Sequence, residues 1–224
     1  MWAPFMLRHP QSIRFLPQWI ISQRPGTASH EEGIPSIPLE AISWMESFLK
    51  KDMKVFEWGS GGSTIFIAQR VRELVSIEHD VKWYDIVSQL IKRYEISNCK
   101  LLLKNPQFIN NQLGRNEVKF LPDYLACEKG GQGFYFETYC RAIESYPNEY
   151  FDLVFIDGMA RQSCITHALK KIKPEGFLML DDTYKKEYAS VEQLLKRWKR
   201  KDFFGFKPGN RNRVYQTTIW QKFL

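Results

Sequence analysis

The sequence predicts an α/β protein built on a mostly parallel sheet with helices on both faces, and three observations carry that expectation. Short apolar runs alternate with stretches of helical periodicity through most of the chain. The run at 53–58 ends in a glycine turn, Gly59-Ser60-Gly61-Gly62, from which a helix starts almost at once. Three further apolar runs finish on acids, at Glu78, at Asp157 and at Asp181-Asp182. In an open α/β sheet such strand ends form the edge where ligands sit.

Residues 1–37 are punctuated by proline and carry scattered large apolar side chains, among them Trp2, Phe5, Phe15, Trp19 and Ile20. They read as an N-terminal helical or irregular arm that packs on the body, covers the active site or mediates association. Residues 38–224 form one domain. Leu39, Ile42, Trp44, Met45, Phe48 and Leu49 recur at helical spacing before the strand at 53–58. After the turn come a helix with Ile65, Phe66, Ile67, Ala68 and Val71, a strand at 73–78, a helix over 82–94 and a strand at 99–103. Residues 104–134, with Pro106, Gly114, Pro122 and the Gly130-Gly131-Gln132-Gly133 run, are long for a connection. They are a candidate lid or substrate insertion, with surface decoration as the other reading. Then follow a helix over 135–145, a strand at 150–156, a helix over 160–171, a turn at Lys173-Pro174-Glu175-Gly176 and a strand at 177–180. Val191, Leu194, Leu195 and Trp198 mark another helix, and 203–207 and 214–220 read as an antiparallel closing pair.

With 224 residues, 44% of them hydrophobic and 15% aromatic, the chain can bury a large core. Its net charge of +7 is concentrated between Lys185 and Arg213, where ten basic residues face three acidic ones. Such a run can meet phosphate, an acidic glycan or a membrane surface. The absence of an aromatic ladder favours a solvated face and argues against a nucleic-acid partner. Cys99, Cys127, Cys140 and Cys164 form no C-x-x-C pair and read as reduced thiols. No run approaches the ~20 apolar residues of a membrane span and no signal peptide is evident. The expectation is a soluble, cytoplasmic protein.

The residues at the glycine turn discriminate between cofactors. A dinucleotide site wants a third glycine where this chain has Thr64, and Glu57 would set a carboxylate against a pyrophosphate. A ligand with a cationic end suits that carboxylate better, which favours S-adenosylmethionine over NAD. Glu78 lies 19 residues after Gly59, where an acid can accept hydrogen bonds from ribose hydroxyls. Glu57-Trp58-Gly59-Ser60-Gly61 resembles motif I of the class I S-adenosylmethionine-dependent methyltransferases. The resemblance implies a Rossmann-like, seven-stranded, mostly parallel sheet. It also implies that Glu57, Gly59, Ser60, Gly61, Gly62, Ser63 and Thr64 cradle the methionine and ribose, that Glu78 holds the ribose, and that His79 or Asp80 flanks the adenine.

Methyl transfer to a hydroxyl needs in-line positioning and a way to remove a proton. Asp157, Asp181 and Asp182 resemble the metal site of catechol O-methyltransferase and of macrolide sugar O-methyltransferases. That likeness implies catalysis at these three residues, Mg2+ held by the same three, and a small-molecule or sugar acceptor methylated on oxygen. Strand-end capping without metal is the alternative. The chain departs from the pattern at Ala160, where catechol O-methyltransferase has its base lysine, and the neighbouring Arg161 is too basic to take a proton. His79 and His167 are then the candidate bases. Two other readings are an RNA methyltransferase that uses 185–213 and a cofactor-binding module without catalysis.

Overall fold

The computed structural model describes residues 9–23, 31–109, 121–210 and 214–223. Its centre is β1 (Lys54–Trp58), where Val55, Phe56, Glu57 and Trp58 are all fully buried, as in a strand covered on both faces. Successive side chains divide between the two faces. Val55 joins the apolar cluster of Met45, Phe66 and Ile67, contributed by α2 (Leu39–Phe48) and α3 (Gly62–Ala68). Phe56 and Trp58 join the cluster of Tyr139 and Cys164, from α5 (Glu137–Cys140) and α6 (Arg161–Ala168). The Trp58 indole N–H donates to the Tyr139 carbonyl at 2.9 Å, which ties α5 to the sheet.

The remaining strands are β2 (Glu73–Glu78), β3 (Cys99–Leu103), β4 (Phe151–Ile156), β5 (Ile172–Asp181), β6 (Lys199–Gly205) and β7 (Tyr215–Gln221). They form a seven-stranded sheet in the order β3-β2-β1-β4-β5-β7-β6. β7 runs antiparallel to both β5 and β6, and the other pairings of this sheet are parallel. The chain leaves β1 towards β3 and returns to β4 on β1's other side, so a crevice opens beyond the carboxyl ends of β1 and β4. This is the sheet expected from the sequence, including the antiparallel closing pair. β6 is an edge strand, and its exposed Lys199, Arg200 and Lys201 discourage pairing with another sheet. That accounts for three of the ten basic residues of the run; Arg211 and Arg213 lie outside the described residues.

Beyond β2, Asp80 accepts from the Trp83 N–H at 2.8 Å and caps α4 (Val81–Arg93), while Lys92 and Arg93 occupy its last turn. Two local expectations change. The helix over 135–145 is α5 followed by a 3-10 turn, Arg141–Ser145. Lys173-Pro174-Glu175-Gly176 lies inside β5, where the pairing steps from Phe151↔Ile172 to Leu153↔Phe177 and Glu175 takes a φ of 61°. The turn residues form an irregularity in the ladder instead of ending it.

In the arm, Trp2 and Phe5 lie outside the described residues. Pro10–Phe15 is a 3-10 turn and Leu16–Ile21 a short helix, α1. Pro10 and Pro17 fall in first turns, where a missing N–H costs little. From α7 (Ala189–Leu194) the chain turns into β6. Of the proposed lid, 110–120 lies outside the described residues. The rest includes a two-residue antiparallel ladder, Gln107–Phe108 with Phe134–Tyr135. Among the described residues, no helix is long and apolar enough to cross a membrane.

Candidate active site

A cavity of about 900 Å³ occupies the crevice, within the ~300–1,000 Å³ usual for small-molecule sites. Gly59, Ser60, Gly61, Gly62 and Ser63 wall one end together with Glu78, His79, Asp80 and Trp83, and Ile34 and Ser36 close it from the N-terminal side. The other end is lined by charged residues, notably Glu128, Lys129, Asp157, Arg161, Asp182 and Lys185.

Gly59 has a φ of 91°, and a Cβ there would stand 2.6 Å from the Gly158 nitrogen, so β1 and β4 can end side by side only with glycine at this position. At Gly62 a Cβ would run into the Ile34 carbonyl oxygen. Gly61 differs: its Cβ would meet only the Trp83 ring, at 3.9 Å. Position 61 is bare towards the cavity, as a ligand cradle requires.

Glu78 is the keystone of this end. One carboxylate oxygen accepts from the Ser60 amide at 3.1 Å and hydroxyl at 2.8 Å, and the other from the His79 and Asp80 amides at 2.8 and 2.9 Å. Burial alone would raise its pKa, but the donors from His79, Asp80 and Ser60 outweigh it and hold the carboxyl below its usual range. His79 Nδ1 lies 2.8 Å from Glu78 Oε1. The Trp83 indole donates to the Ser60 carbonyl at 2.7 Å. Residues 60, 78 and 83 therefore hold one another.

Glu57 and Thr64 lie behind the turn rather than in the cavity wall. Glu57 is fully buried and accepts from Ser63 Oγ at 2.5 Å, Thr64 Oγ1 at 2.6 Å and Ser76 Oγ at 2.6 Å. Thr64 Oγ1 in turn accepts from the Gly61 amide at 2.9 Å. Desolvation raises the Glu57 pKa to about 7, against the three hydroxyl donors.

Arg161, 6% exposed, organises the charged end. It donates to the Gly158, Asp181 and Asp157 carbonyls at 2.8–2.9 Å, reaches Asp157 Oδ1 at 3.1 Å and lies 3.7 Å from Glu128 Oε1. Glu128 also accepts from the Ala160 amide at 3.0 Å and the Tyr188 hydroxyl at 2.7 Å. Burial and the nearby Asp181 push the Asp157 carboxyl upward, against Arg161 and Lys207. With 24% of its side chain open, water in the cavity tempers that rise.

The other two strand-end acids correct the sequence reading. Asp181, 1% exposed, is not part of the cavity wall: one oxygen accepts from Lys207 Nζ at 2.5 Å and the other from Thr217 Oγ1 at 2.6 Å. Asp182 lines the cavity but is paired with Lys207 at 3.0 Å and Lys185 at 3.2 Å. Burial opposes its ionisation, yet Lys207, Arg161 and Lys185 bring its pKa down to about 2. The expected Mg2+ site does not fit these residues, because both oxygens of Asp181 and of Asp182 are already engaged by ammonium or hydroxyl donors and Asp157 Oδ1 is engaged by the Arg161 guanidinium. No group of three or more His, Cys, Asp or Glu among the described residues is placed to hold a metal ion. His167 is absent from the cavity wall; its Nδ1 lies 2.8 Å from Glu144.

Sequence reasoning missed Trp83, which fell inside the helix expected over 82–94, and Glu128 and Lys129, hidden in the long connection. It also missed Lys207, counted as one charge in a basic run. A tryptophan three residues after an N-cap acid was the one local signal available.

No protein-family model matches the chain, and no curated protein matches it in sequence. Solved structures do. An rRNA methylase of Streptococcus thermophilus superposes with a TM-score of 0.57 at 12% identity over 83% of this chain and 95% of its own. An O-methyltransferase of Bacillus cereus, solved with SAH, gives 0.55 at 15% over 91% and 86%. A precorrin-6y C5,15-methyltransferase of Geobacter metallireducens gives 0.52 at 12% over 82% and 87%. Their acceptors differ in kind, so what they share with this chain is the architecture. The chain has the Rossmann-like fold of the class I S-adenosylmethionine-dependent methyltransferases.

Proposed function

We propose that this protein is an S-adenosylmethionine-dependent methyltransferase that methylates an oxygen of a small molecule or sugar. The observation that carries the reading is a switch-point cavity with two unlike ends, a glycine turn locked by Glu78 and a cluster of opposed charges. When bound, S-adenosylmethionine supplies a methyl group on a sulfonium. The turn from Gly59 to Ser63 and Glu78 would hold its methionine and ribose, and His79, Asp80 and Trp83 would border its adenine. Asp157 lines the cavity and its backbone adjoins Gly59; in this reading its carboxylate would receive an acceptor hydroxyl's proton. Arg161 would keep that carboxylate oriented. The mixed charges of Glu128, Lys129 and Lys185 suit a polar, hydroxyl-rich acceptor better than an apolar ring.

Calorimetric titration with S-adenosylhomocysteine, with NAD as control, tests the cofactor. Micromolar binding of the first alone is expected, and NAD binding in its place would overturn the reading. Gly61→Val should weaken S-adenosylhomocysteine binding about a hundredfold, ~2.7 kcal/mol, while thermal unfolding stays near wild type, because the added atoms enter the cavity and not the core. Unchanged binding would remove the turn from the site. Glu78→Ala should cost about 1–3 kcal/mol of binding. Part of this loss is expected to come through Ser60, whose amide and hydroxyl lose their acceptor, so Ser60→Ala should reproduce a fraction of it in the same titration.

A further inference from the structure

Three acids at adjacent strand ends are a concentration of negative charge that a buried site tolerates only with a cation among them. The cations present are amino-acid side chains: Arg161 reaches Asp157, Lys185 reaches Asp182, and Lys207 bridges Asp181 and Asp182. Lys207 Nζ lies 2.5 Å from Asp181 Oδ2 and 3.0 Å from Asp182 Oδ1, and 4.6 Å over the Tyr215 ring. Its side chain is 7% exposed. The turn that presents it is clamped from the N-terminal side. The Trp19 ring packs on Phe206 at 4.8 Å and its indole donates to the Asn210 carbonyl at 2.9 Å. The Gly209 amide donates to Ser22 Oγ at 3.2 Å and the Leu39 amide to the Phe206 carbonyl at 3.0 Å. Phe204, at the end of β6, stacks on His9 at 5.0 Å.

We propose that Lys207 is the resident cation of Asp181 and Asp182, held by the N-terminal segment in the place a divalent ion would otherwise take, so that, with Arg161 on Asp157, the strand-end acids recruit no metal. The ammonium is tethered by four methylenes, and its donors fix Asp182 without touching the cavity, which makes Lys207 a positioning residue. A divalent ion could enter only by displacing it, and the segment through Trp19 and Ser22 opposes that movement. For the reaction, this deepens the methyltransferase reading by freeing transfer from a metal at these acids, and it rests on that reading for this consequence alone.

The test is Mn2+ binding followed by electron paramagnetic resonance, where capture by the protein quenches the free-ion signal. Wild type at millimolar Mn2+ should leave the signal at its free value. Lys207→Met, checked for folding by circular dichroism, should quench it at one ion per chain, and adding Asp182→Asn to that variant should restore it. Lys207→Arg keeps the charge and should behave as wild type. Quenching by wild type that Asp182→Asn abolishes would overturn the proposal, as would a folded Lys207→Met protein that captures no Mn2+. Should Lys207→Met not fold, the wild-type result decides alone. None of these outcomes depends on S-adenosylhomocysteine binding, so this proposal and the cofactor assignment fail separately.

Discussion

Lys207→Met is expected to destabilise the fold by about 3–5 kcal/mol, the usual cost of removing one partner from a buried ion pair. The methylene volume is kept, so the loss is electrostatic: Asp181 keeps the Thr217 hydroxyl, and Asp182 keeps the partly open Lys185 and the more distant charge of Arg161. The pH dependence separates this from a packing defect. In wild type the Asp182 pKa is lowered from 3.8 to about 2. Its contribution is therefore present above pH ~4 and lost as pH falls through ~2, roughly 2 kcal/mol in all. Lys207 has its pKa raised, with burial opposing and Asp181 foremost in favour. That contribution is complete below the ordinary lysine value and is lost only as pH climbs through the folded-state value, so neutral pH sees all of it. In the variant Asp182 has lost the foremost of the cations that hold its pKa down, so less of this contribution is left for acidification to remove. Urea denaturation at pH 7 and pH 3.5 should then show the gap between variant and wild type narrowing at the lower pH. A constant gap would mean that the ammonium contributes little beyond its volume.

The contrast between Glu78 and Lys207 shows what a sequence can and cannot display. Glu78 is legible because its role is written locally: an acid at a strand tip, a fixed distance after a glycine turn, with an N-cap acid two residues on. Asp157 is legible for the same reason, and the strand order follows from the alternation of short apolar runs with helices. Lys207 meets Asp181 across 26 residues, and nothing near it in the chain separates it from the lysines that shield the edge strand. Glu128 reaches Arg161 and Tyr188 in the same way, from inside a connection whose composition says only that it is irregular. Misreading the three aspartates as a metal site has the same origin. The carboxylates carry a motif, but the cation that balances them arrives from a strand pair formed later in the chain. Glu57 shows a further limit. The motif places it near a ligand, while strand alternation sends its side chain to the face opposite Phe56 and Trp58, under α3.

That burial gives Glu57 an effect of its own. Stability is expected to fall by roughly 3 kcal/mol as pH rises from about 4.5 to above 7, through this one residue. The sign follows from proton uptake: the folded-state pKa of about 7 exceeds the ordinary 4.5, so between these values the folded chain binds more protons than the unfolded one. Each step up in pH there favours unfolding. The cause is desolvation in a fully buried site whose donors, Ser63, Thr64 and Ser76, are neutral hydroxyls. They offset part of the cost of the charge but supply none of the opposite sign. Glu57→Gln keeps the shape and removes the titration, so its denaturation midpoint should change less than that of wild type between pH 5 and pH 8, and the two curves should cross or converge at the alkaline end. Parallel curves would assign the pH dependence to other groups. Because Thr64 Oγ1 links Glu57 to the Gly61 amide, the same titration should reach the ligand cradle. Ionised Glu57 holds the Thr64 hydroxyl as its donor and so leaves its lone pairs to Gly61. Protonated Glu57 can turn that hydroxyl round and compete for one of its two lone pairs, which weakens the bond from the Gly61 amide at the mouth of the cavity. S-adenosylhomocysteine affinity in wild type should accordingly vary with pH across the same window, and Glu57→Gln should remove that variation.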